Sequence, residues 1–288
     1  MWTQNRLDGP EFIRTKAIDF GIPVIDPKDV FLEAYKSSCL WFQDNGFLSI
    51  EQNSWRTLVQ NRTVLVGPNF DLSNEQLKSY LEDCKNYELL FPSEWVKAIA
   101  VKHFGFPLEK CRVWALGVSI PNPPKITGAP NTILVYVKNQ SGLMDSNMPV
   151  IQAFCDKNDY QLKILQYGTY RHSDFINLLP KVRFVIWLGI TESQSIAQFE
   201  IWSAGVPTFV LRQDKVNIFR ESFPASSSPY LTPMTGEFFT DPNLKLTDLE
   251  KFDTNLTKFS PMEWIRENGE ITQSFKNLEL IATTYFEI

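Results

Sequence analysis

Two glutamates in one polar stretch are the clearest candidates for chemistry in this sequence. Glu192 and Glu200 form a Glu-x7-Glu pair directly after a strongly apolar run. Eight positions at about 100° per residue is about 800°, so on one continuous helix both carboxylates would lie within roughly 80° of the same face. Carboxylates accept hydrogen bonds and suit the hydroxyls of a sugar or a ribose. A capped amphipathic helix with two surface glutamates explains the spacing equally well, so the spacing alone leaves both interpretations open.

The predicted N-terminus of that helix is a second candidate. Ser193, Gln194 and Ser195 lie beside Glu192 in the first turn that the pattern predicts. The first turn of a helix leaves backbone N–H groups unbonded and carries the positive end of the helix dipole. Such a turn stabilises a phosphate placed beside it. The segment therefore favours an anion site where the preceding strand ends.

Four more residues have chemistry suited to an anionic ligand, and each also has an ordinary structural explanation. Lys138 ends an apolar strand, where its ammonium could hold a diphosphate, although a solvated lysine at a strand end is the commoner case. Arg171 and His172 follow another predicted strand and either face a nucleotide or open the next helix. Gly9, between an aspartate and a proline, either lets backbone approach a ligand or forms a plain turn.

The elements that must position these residues alternate between strand and helix. In the second half, apolar strands are predicted at residues 132–138, 182–190 and 208–212, with helical segments between them. Short strands that are apolar on both faces are typical of a parallel sheet covered by helices on both sides. The first half repeats the pattern on a smaller scale, with strands at residues 63–66 and 87–91. We therefore predict an α/β fold with two Rossmann-like β/α/β domains facing a cleft, the N-terminal one reduced.

A proline-rich segment divides the two halves. Residues 121–130 contain four prolines, and proline fixes φ and interrupts helices, so we predict an interdomain linker there. The N-terminal domain is predicted at residues 1–120 and the C-terminal domain at residues 131–270. Residues 271–288 are predicted to form a helix that packs back on the N-terminal domain.

Composition and missing motifs argue against several classes of protein. The formal net charge is -5 and no long basic run occurs, so nucleic acid is not an expected partner. The dinucleotide-binding, P-loop and nucleophile-elbow glycine signatures are absent. Four scattered cysteines, two histidines and no Asp-x-Asp pair indicate that no metal is required. Because no apolar leader or membrane-spanning run is found, we expect no transmembrane segment and a cytoplasmic protein.

Three segments together resemble the GT-B glycosyltransferases of the retaining kind often called family 4 (glycosyltransferase group 1), which includes sucrose-synthase-like and glycogen-synthase-like enzymes. They are residues 91–94 (FPSE) with 113–118 (VWALGV), residues 191–208 (TESQSIAQFEIWSAGVPT), and residues 227–236 (SSPYLTPMTG). The Glu-x7-Glu pair followed by Ala-Gly-Val-Pro is the most specific of these signals. The resemblance implies a GT-B fold, with an acceptor-side N-terminal domain and a donor-binding C-terminal domain.

The resemblance also implies an activity and a set of site residues. It implies a hexosyltransferase-like enzyme that moves a sugar from a UDP- or GDP-sugar to a glycan or other hydroxyl acceptor, with retention and without a metal or other cofactor. Glu192 would face the transferred sugar and Lys138 the diphosphate, as the catalytic pair, and Glu200 would accept hydrogen bonds from the ribose. The donor-binding set would comprise Glu200, Ser193, Gln194, Ser195, Arg171 and Gly9.

The sequence departs from that family pattern at three places. Only Lys138 stands where the family has an arginine and a lysine, Ser119 replaces a frequent aspartate, and no strong strand precedes Gly9. Two alternatives therefore stay open: a nucleotide-sugar epimerase on the same fold, and a non-catalytic nucleotide-sugar-binding protein. A periplasmic-type two-domain sugar-binding protein fits the alternation as well, but the absence of a signal peptide argues against it.

Overall fold

The computed structural model describes residue 17 and residues 38–120, 130–138, 141–218 and 220–283 of the chain. Two compact units divide it: a C-terminal unit containing Gly117–Ile271, and an N-terminal unit containing Leu7–Leu116 and Thr272–Ile288. Gly9 and most of the predicted linker, residues 121–129, lie outside the described residues. None of the helices in the described part of the chain is long and apolar enough to cross a membrane.

The N-terminal unit contains a parallel sheet of four strands joined by helices. Its strands are β1 (Cys39–Phe42), β2 (Thr63–Val66), β3 (Asn86–Phe91) and β4 (Cys111–Val113), and they lie side by side in that order. The connecting helices are α1 (Gln52–Val59), α2 (Gln76–Glu82) and α3 (Glu94–Lys102). All four side chains of β2 are buried, which explains why a four-residue apolar run is sufficient to predict it.

The C-terminal unit contains a larger parallel sheet. Its strands are β5 (Thr132–Lys138), β6 (Gln161–Gln166), β7 (Val182–Gly189), β8 (Thr208–Leu211) and, after an antiparallel hairpin of β9 (Lys215–Ile218) and β10 (Glu221–Pro224), β11 (Gly236–Phe239). Its helices are α4 (Ser141–Asn158), α5 (His172–Leu178), α6 (Ile196–Ser203), α7 (Leu246–Thr254) and α8 (Pro261–Trp264). The strands of the sheet lie in the order β6-β5-β7-β8-β11, all parallel.

Both faces of this sheet are covered, as its apolar strands predict. On one face, Val135 and Ile186 belong to a buried cluster with Phe154 of α4 and Phe252 of α7. On the other face, Tyr136 stacks on Trp187 with ring centroids 4.2 Å apart. The side chains of β5 and β7 are thus sorted alternately to two separate cores, which fixes their register.

The last helix, α9 (Ile271–Thr283), belongs to the N-terminal unit from residue 272 onward. The indole Nε1 of Trp114 donates to the carbonyl oxygen of Ser274 at 2.8 Å, and the Ser274 hydroxyl donates to the carbonyl oxygen of Ala115 at 2.7 Å. Phe275 also contacts the ring of Trp114, with centroids 6.0 Å apart. The chain therefore crosses into the C-terminal unit and returns to complete the N-terminal one.

Candidate functional site

The strand order of the C-terminal unit creates one distinctive place on the sheet. From β5 the chain moves outward to β6, and from β7 it moves the opposite way to β8. The neighbouring strands β5 and β7 therefore form a topological switch point, where the loops leaving their carboxyl ends separate. In open parallel sheets this is where ligands bind. The residues that follow β5 and β7 are accordingly the first candidates for a site.

Lys138 and Glu192 meet at this switch point. Lys138 closes β5 and pairs in register with Gly189, the last residue of β7. Its Nζ donates to Oε2 of Glu192 at 2.8 Å and lies 4.5 Å from the centroid of the Tyr167 ring. The side chains of Lys138 and Glu192 are 23% and 5% exposed. The two predicted catalytic residues are thus held against each other as a largely buried ion pair.

Gly189, the last residue of β7, has no room for a side chain. A Cβ added at Gly189 would lie 2.4 Å from Nε1 of Trp187, whose side chain leans along the strand toward the switch point. Trp187 is 1% exposed and is clamped by its stack on Tyr136, so it has little room to move. Glycine is therefore required at this position by packing.

Glu192 lies in a loop and not on the helix that carries Glu200. The helix α6 begins at Ile196, four residues after Glu192, so the interpretation that both carboxylates share one helical face is wrong. The reason is Ser195, whose backbone adopts the left-handed conformation with φ 70° and ψ 71° and ends any continuous helix there. Glu192 is fixed instead by its N–H, which donates to the carbonyl oxygen of Ser226 at 2.7 Å.

Ser195 is the N-cap residue of α6 in an unusual form. Its carbonyl oxygen accepts from the N–H of Gln198 at 3.0 Å, but its side chain makes no capping hydrogen bond. The hydroxyl Oγ is buried and has no hydrogen-bond partner within the described part of the chain. A left-handed non-glycine residue costs on the order of 1–2 kcal/mol, and a buried unbonded hydroxyl adds to that cost. Strain and an unused polar atom thus coincide at the start of α6.

Glu200 lies in the second turn of α6 and contacts His172. Oε1 of Glu200 is 2.6 Å from Nε2 of His172, the first residue of α5. The Glu200 side chain is 9% exposed, and its other oxygen, Oε2, is buried with no hydrogen-bond partner among the described residues. A buried carboxylate with one oxygen unused is costly unless a ligand completes its hydrogen bonds.

Arg171, Ser193 and Gln194, which were also predicted to bind the nucleotide-sugar donor, differ in how exposed they are. Arg171 is exposed and serves as the N-cap residue of α5, with its carbonyl oxygen accepting from Asp174 N at 3.1 Å. Ser193 is exposed in the loop before α6, whereas Gln194 is 6% exposed. Of the adjacent pair Arg171 and His172, the residue that reaches Glu200 is His172. Sequence reasoning named it beside Arg171 but did not select it, because nothing local indicates which of the two turns inward.

A buried amide ties α6 to the serine-rich segment. Gln198 is 0% exposed; its Nε2 donates to the carbonyl oxygen of Ser227 at 3.3 Å, and its Oε1 accepts from the hydroxyl of Ser228 at 2.7 Å. Together with the contact of Glu192 and Ser226, this brings the second and third family-like segments into direct contact. The close packing continues at Gly236, where an added Cβ would lie 1.9 Å from the carbonyl oxygen of Thr208.

Aromatic side chains pack α6 against α8. Phe199 and Trp202 both pack edge-on against Trp264 of α8, with centroids 5.5 Å and 5.3 Å away. The Nε1 of Trp202 also donates to Oγ1 of Thr208 at 3.1 Å. This packing fixes the axis of α6 and therefore the direction in which Ser195 and Glu200 present their polar atoms.

Metal and thiol chemistry have no support in the described residues. No group of three or more His, Cys, Asp or Glu side chains in that part of the chain is arranged to hold a metal ion. Burial raises the pKa of the Cys155 thiol to about 11, so it is protonated at neutral pH and is a poor nucleophile. Lys138, Glu192, Ser195 and Glu200 offer charge and hydrogen bonds at the end of the sheet.

Similarity to known proteins is found at the level of the fold and not of the sequence. A scan against protein-family models finds no match, and a search of curated proteins finds none either. Among solved structures, a glycosyltransferase from Rickettsia africae ESF-5 matches with a TM-score of 0.64 at 11% identity, over 100% of this chain and 85% of that chain. Sucrose-phosphate synthase from Thermosynechococcus elongatus matches with a TM-score of 0.55 at 12% identity, over 92% of this chain and 81% of that chain. This chain shares the fold of these two proteins.

A third match carries a ligand. The pneumococcal O-GlcNAc transferase GtfA, in complex with UDP and GlcNAc, matches with a TM-score of 0.50 at 8% identity, over 92% of this chain and 62% of that chain. This chain thus spans less than two thirds of that enzyme. The predicted fold class, α/β with two Rossmann-like units of the GT-B type, is confirmed. At these identities the likeness concerns the fold alone.

Proposed function

We propose that this protein is a glycosyltransferase that moves a sugar from a nucleoside-diphosphate sugar to an acceptor hydroxyl. The donor is a UDP- or GDP-sugar, the anomeric configuration is retained, and no metal takes part. The observation that carries the proposal is that two buried polar atoms of the segment after β7, Ser195 Oγ and Glu200 Oε2, have no hydrogen-bond partner among the described residues. The same segment carries Glu192, which forms the ion pair with Lys138 at the switch point. Ser195 Oγ and Glu200 Oε2 need hydroxyl and phosphate partners of the kind that a nucleotide sugar supplies.

Each group has a role that follows from its chemistry. Glu200 Oε2 accepts a hydrogen bond from a ribose hydroxyl. The Ser195 hydroxyl and the first N–H groups of α6 donate to the diphosphate or to a sugar hydroxyl, at the positive end of the helix dipole. These contacts stabilise the negative charge that develops on the leaving diphosphate as the glycosidic bond breaks.

Lys138 and Glu192 exchange partners when the donor binds. The ammonium of Lys138 and the carboxylate of Glu192 form an ion pair at 2.8 Å. A diphosphate carries more negative charge than a carboxylate and attracts Nζ of Lys138 more strongly. Glu192 is then released to accept a hydrogen bond from a hydroxyl of the transferred sugar, which places that sugar at the end of β7.

The comparisons support the ligand class without assigning it. GtfA, which shares the fold, is seen with UDP and GlcNAc. Since the identity is 8%, the roles given to the side chains of the present protein rest on its own contacts and not on those of GtfA.

The non-catalytic alternative also has an observation in its favour. The ammonium of Lys138, which the proposal needs for the diphosphate, is already engaged by Glu192. A protein that only binds nucleotide sugars would bind the donor and leave it intact. An epimerase would convert the donor sugar without any acceptor. Analysis of the products therefore separates the three functions.

The proposal is tested by a thermal-shift screen of the full chain with UDP, GDP and their common sugar conjugates, followed by mass spectrometry of the reaction with a panel of glycan acceptors. We expect one nucleotide to raise the melting temperature and its sugar conjugate to yield a glycosylated acceptor and free nucleoside diphosphate. No stabilisation by any of these nucleotides would contradict the proposal. Stabilisation with an unchanged donor would establish the binding protein instead.

A further inference from the structure

The contact of His172 with Glu200 has a defined hydrogen-bond direction. A carboxylate only accepts hydrogen bonds, so Nε2 of His172 carries the proton and donates to Oε1 of Glu200. At 2.6 Å the bond is short, as is typical when the acceptor is charged. This contact joins the first residue of α5 to the second turn of α6, both within the C-terminal unit.

Both partners are held from behind by packing. The ring of His172 lies against Phe175, with centroids 6.5 Å apart, and Phe175 is 0% exposed. Phe175 in turn packs against Tyr170 and Tyr136, with centroids 5.5 Å and 6.1 Å away. Glu200 stands on α6, which its aromatic neighbours fix. The imidazole, which is 40% exposed, is therefore supported by Phe175 on one side while it contacts the carboxylate.

The consequence concerns the second oxygen of Glu200. With Oε1 engaged, the carboxylate cannot rotate about its last side-chain bond, a torsion that is otherwise broad. Oε2 is then held in one direction, buried and without a hydrogen-bond partner in the part of the chain that the structure describes. An acceptor fixed in this way gains from a hydroxyl at one position and loses when that hydroxyl is missing.

We propose that His172 is a positioning residue that fixes Glu200 for a ribose hydroxyl and so makes the site selective for ribonucleotides over nucleotides that lack the 2′- and 3′-hydroxyls. This inference rests on the proposed function, in which Glu200 binds the ribose. His172 itself does not contact the ligand. Its effect is confined to the ribose, so the diphosphate contacts of the site are unaffected by its removal.

The test is isothermal titration calorimetry of the full chain with UDP and GDP and with their 2′,3′-dideoxy counterparts. The variants are His172→Phe, which keeps an aromatic ring without a donor, and His172→Gln, whose amide nitrogen can donate to Glu200. Ser173→Ala, at the exposed next position of α5, is the matched control. Far-UV circular dichroism confirms that each variant is folded.

For the nucleotide that binds wild type, we expect His172→Phe to weaken the ribonucleotide about tenfold and the dideoxynucleotide less than about twofold. His172→Gln should recover most of the loss, and Ser173→Ala should match wild type. A double variant, His172→Phe with Glu200→Gln, should lose no more ribonucleotide affinity than Glu200→Gln alone. The reason is that His172 acts on the ribose only through the carboxylate of Glu200.

The results distinguish a failure of the positioning role of His172 from a failure of the proposed function. Equal weakening of ribonucleotide and dideoxynucleotide by His172→Phe, or additive losses in the double variant, would overturn the positioning role while nucleotide binding stands. Unchanged ribonucleotide affinity in His172→Phe would overturn it as well. If wild type binds none of the nucleotides, the proposed function and this inference fall together. Should His172→Phe not fold, His172→Leu, which also lacks a hydrogen-bond donor, takes its place with the same ligand pair and the same expected results.

Discussion

The ammonium of Lys138 lies 2.8 Å from the carboxylate of Glu192, across the gap between the ends of β5 and β7. The two residues are 54 positions apart in sequence, and the sheet order alone brings them together. This ion pair lies at the place where ligands bind in open parallel sheets. Because both side chains are largely buried, the ion pair should affect the stability of the fold as well as the proposed binding of a ligand.

Lys138→Ala should destabilise the protein. The change removes the ammonium of Lys138 from the Glu192 carboxylate, which is 5% exposed. We expect the free energy of unfolding to fall by about 2 kcal/mol, as judged by urea denaturation followed by circular dichroism. The double variant Lys138→Ala with Glu192→Gln should regain most of this loss, since no buried charge is then left uncompensated. A double variant as unstable as Lys138→Ala would show that the ion pair has no such effect.

Glu192→Gln should separate binding from transfer. Without its carboxylate partner, Lys138 is available to a diphosphate, so we expect the free nucleoside diphosphate to bind several-fold more tightly. The rate of sugar transfer should fall by at least about tenfold, because the group that faces the sugar has lost its charge. Calorimetry and initial rates measure the two effects. Weaker binding of the nucleoside diphosphate would refute the exchange of partners.

Ser195→Gly should stabilise the fold and impair the site. Glycine adopts the left-handed backbone of this position without steric cost, so we expect a gain of about 1 kcal/mol in the free energy of unfolding, less the added chain entropy of glycine. The hydroxyl is lost, and affinity for the nucleotide sugar should drop by about fivefold. Ser195→Ala keeps the backbone strain and loses only the buried unbonded hydroxyl, so it should show the same drop in affinity with a smaller gain in melting temperature than Ser195→Gly. Wild-type affinity in both variants would remove Ser195 from the site.

The buried thiols predict a loss of stability at high pH. Burial raises the pKa of the Cys84 thiol from its usual 9.0 to about 12. The folded state therefore keeps a proton that the unfolded chain releases above about pH 9, and the stability is present below that pH and lost as pH rises toward 12. The slope per thiol is up to about 1.4 kcal/mol per pH unit in that window. Urea denaturation at pH 8 and pH 10.5 measures it, and Cys84→Ala should flatten the slope; an identical slope in that variant would contradict the assignment.

Much of the architecture was predictable because it depends on local patterns. The β7 run, Val182–Gly189, is apolar on both faces and can only be buried in a covered parallel sheet. The short β2 run is equally explicit for the same reason. The strands predicted at residues 132–138, 182–190 and 208–212 agree with β5, β7 and β8 to within one residue.

Other features depend on contacts that no local pattern contains. The helix α6 begins at Ile196 and not at Glu192, because Ser195 adopts a left-handed backbone conformation. Serine rarely adopts this conformation, so the sequence gives no sign of it. His172 reaches Glu200 only because the sheet order brings α5 beside α6, and the sequence does not state that order. The prediction of Lys138, Glu192 and Glu200 as site residues drew on a family resemblance, and the geometry adds the partners through which each of them is held.

The central claim is that the switch point of the C-terminal unit binds a nucleoside-diphosphate sugar through Glu200. Calorimetric titration of wild type and Glu200→Ala with UDP, GDP and their sugar conjugates tests it most directly. We predict that wild type binds one of these nucleotides at micromolar concentration and that Glu200→Ala, still folded, binds it at least about tenfold more weakly. No binding by wild type, or equal affinity in Glu200→Ala, would contradict the claim.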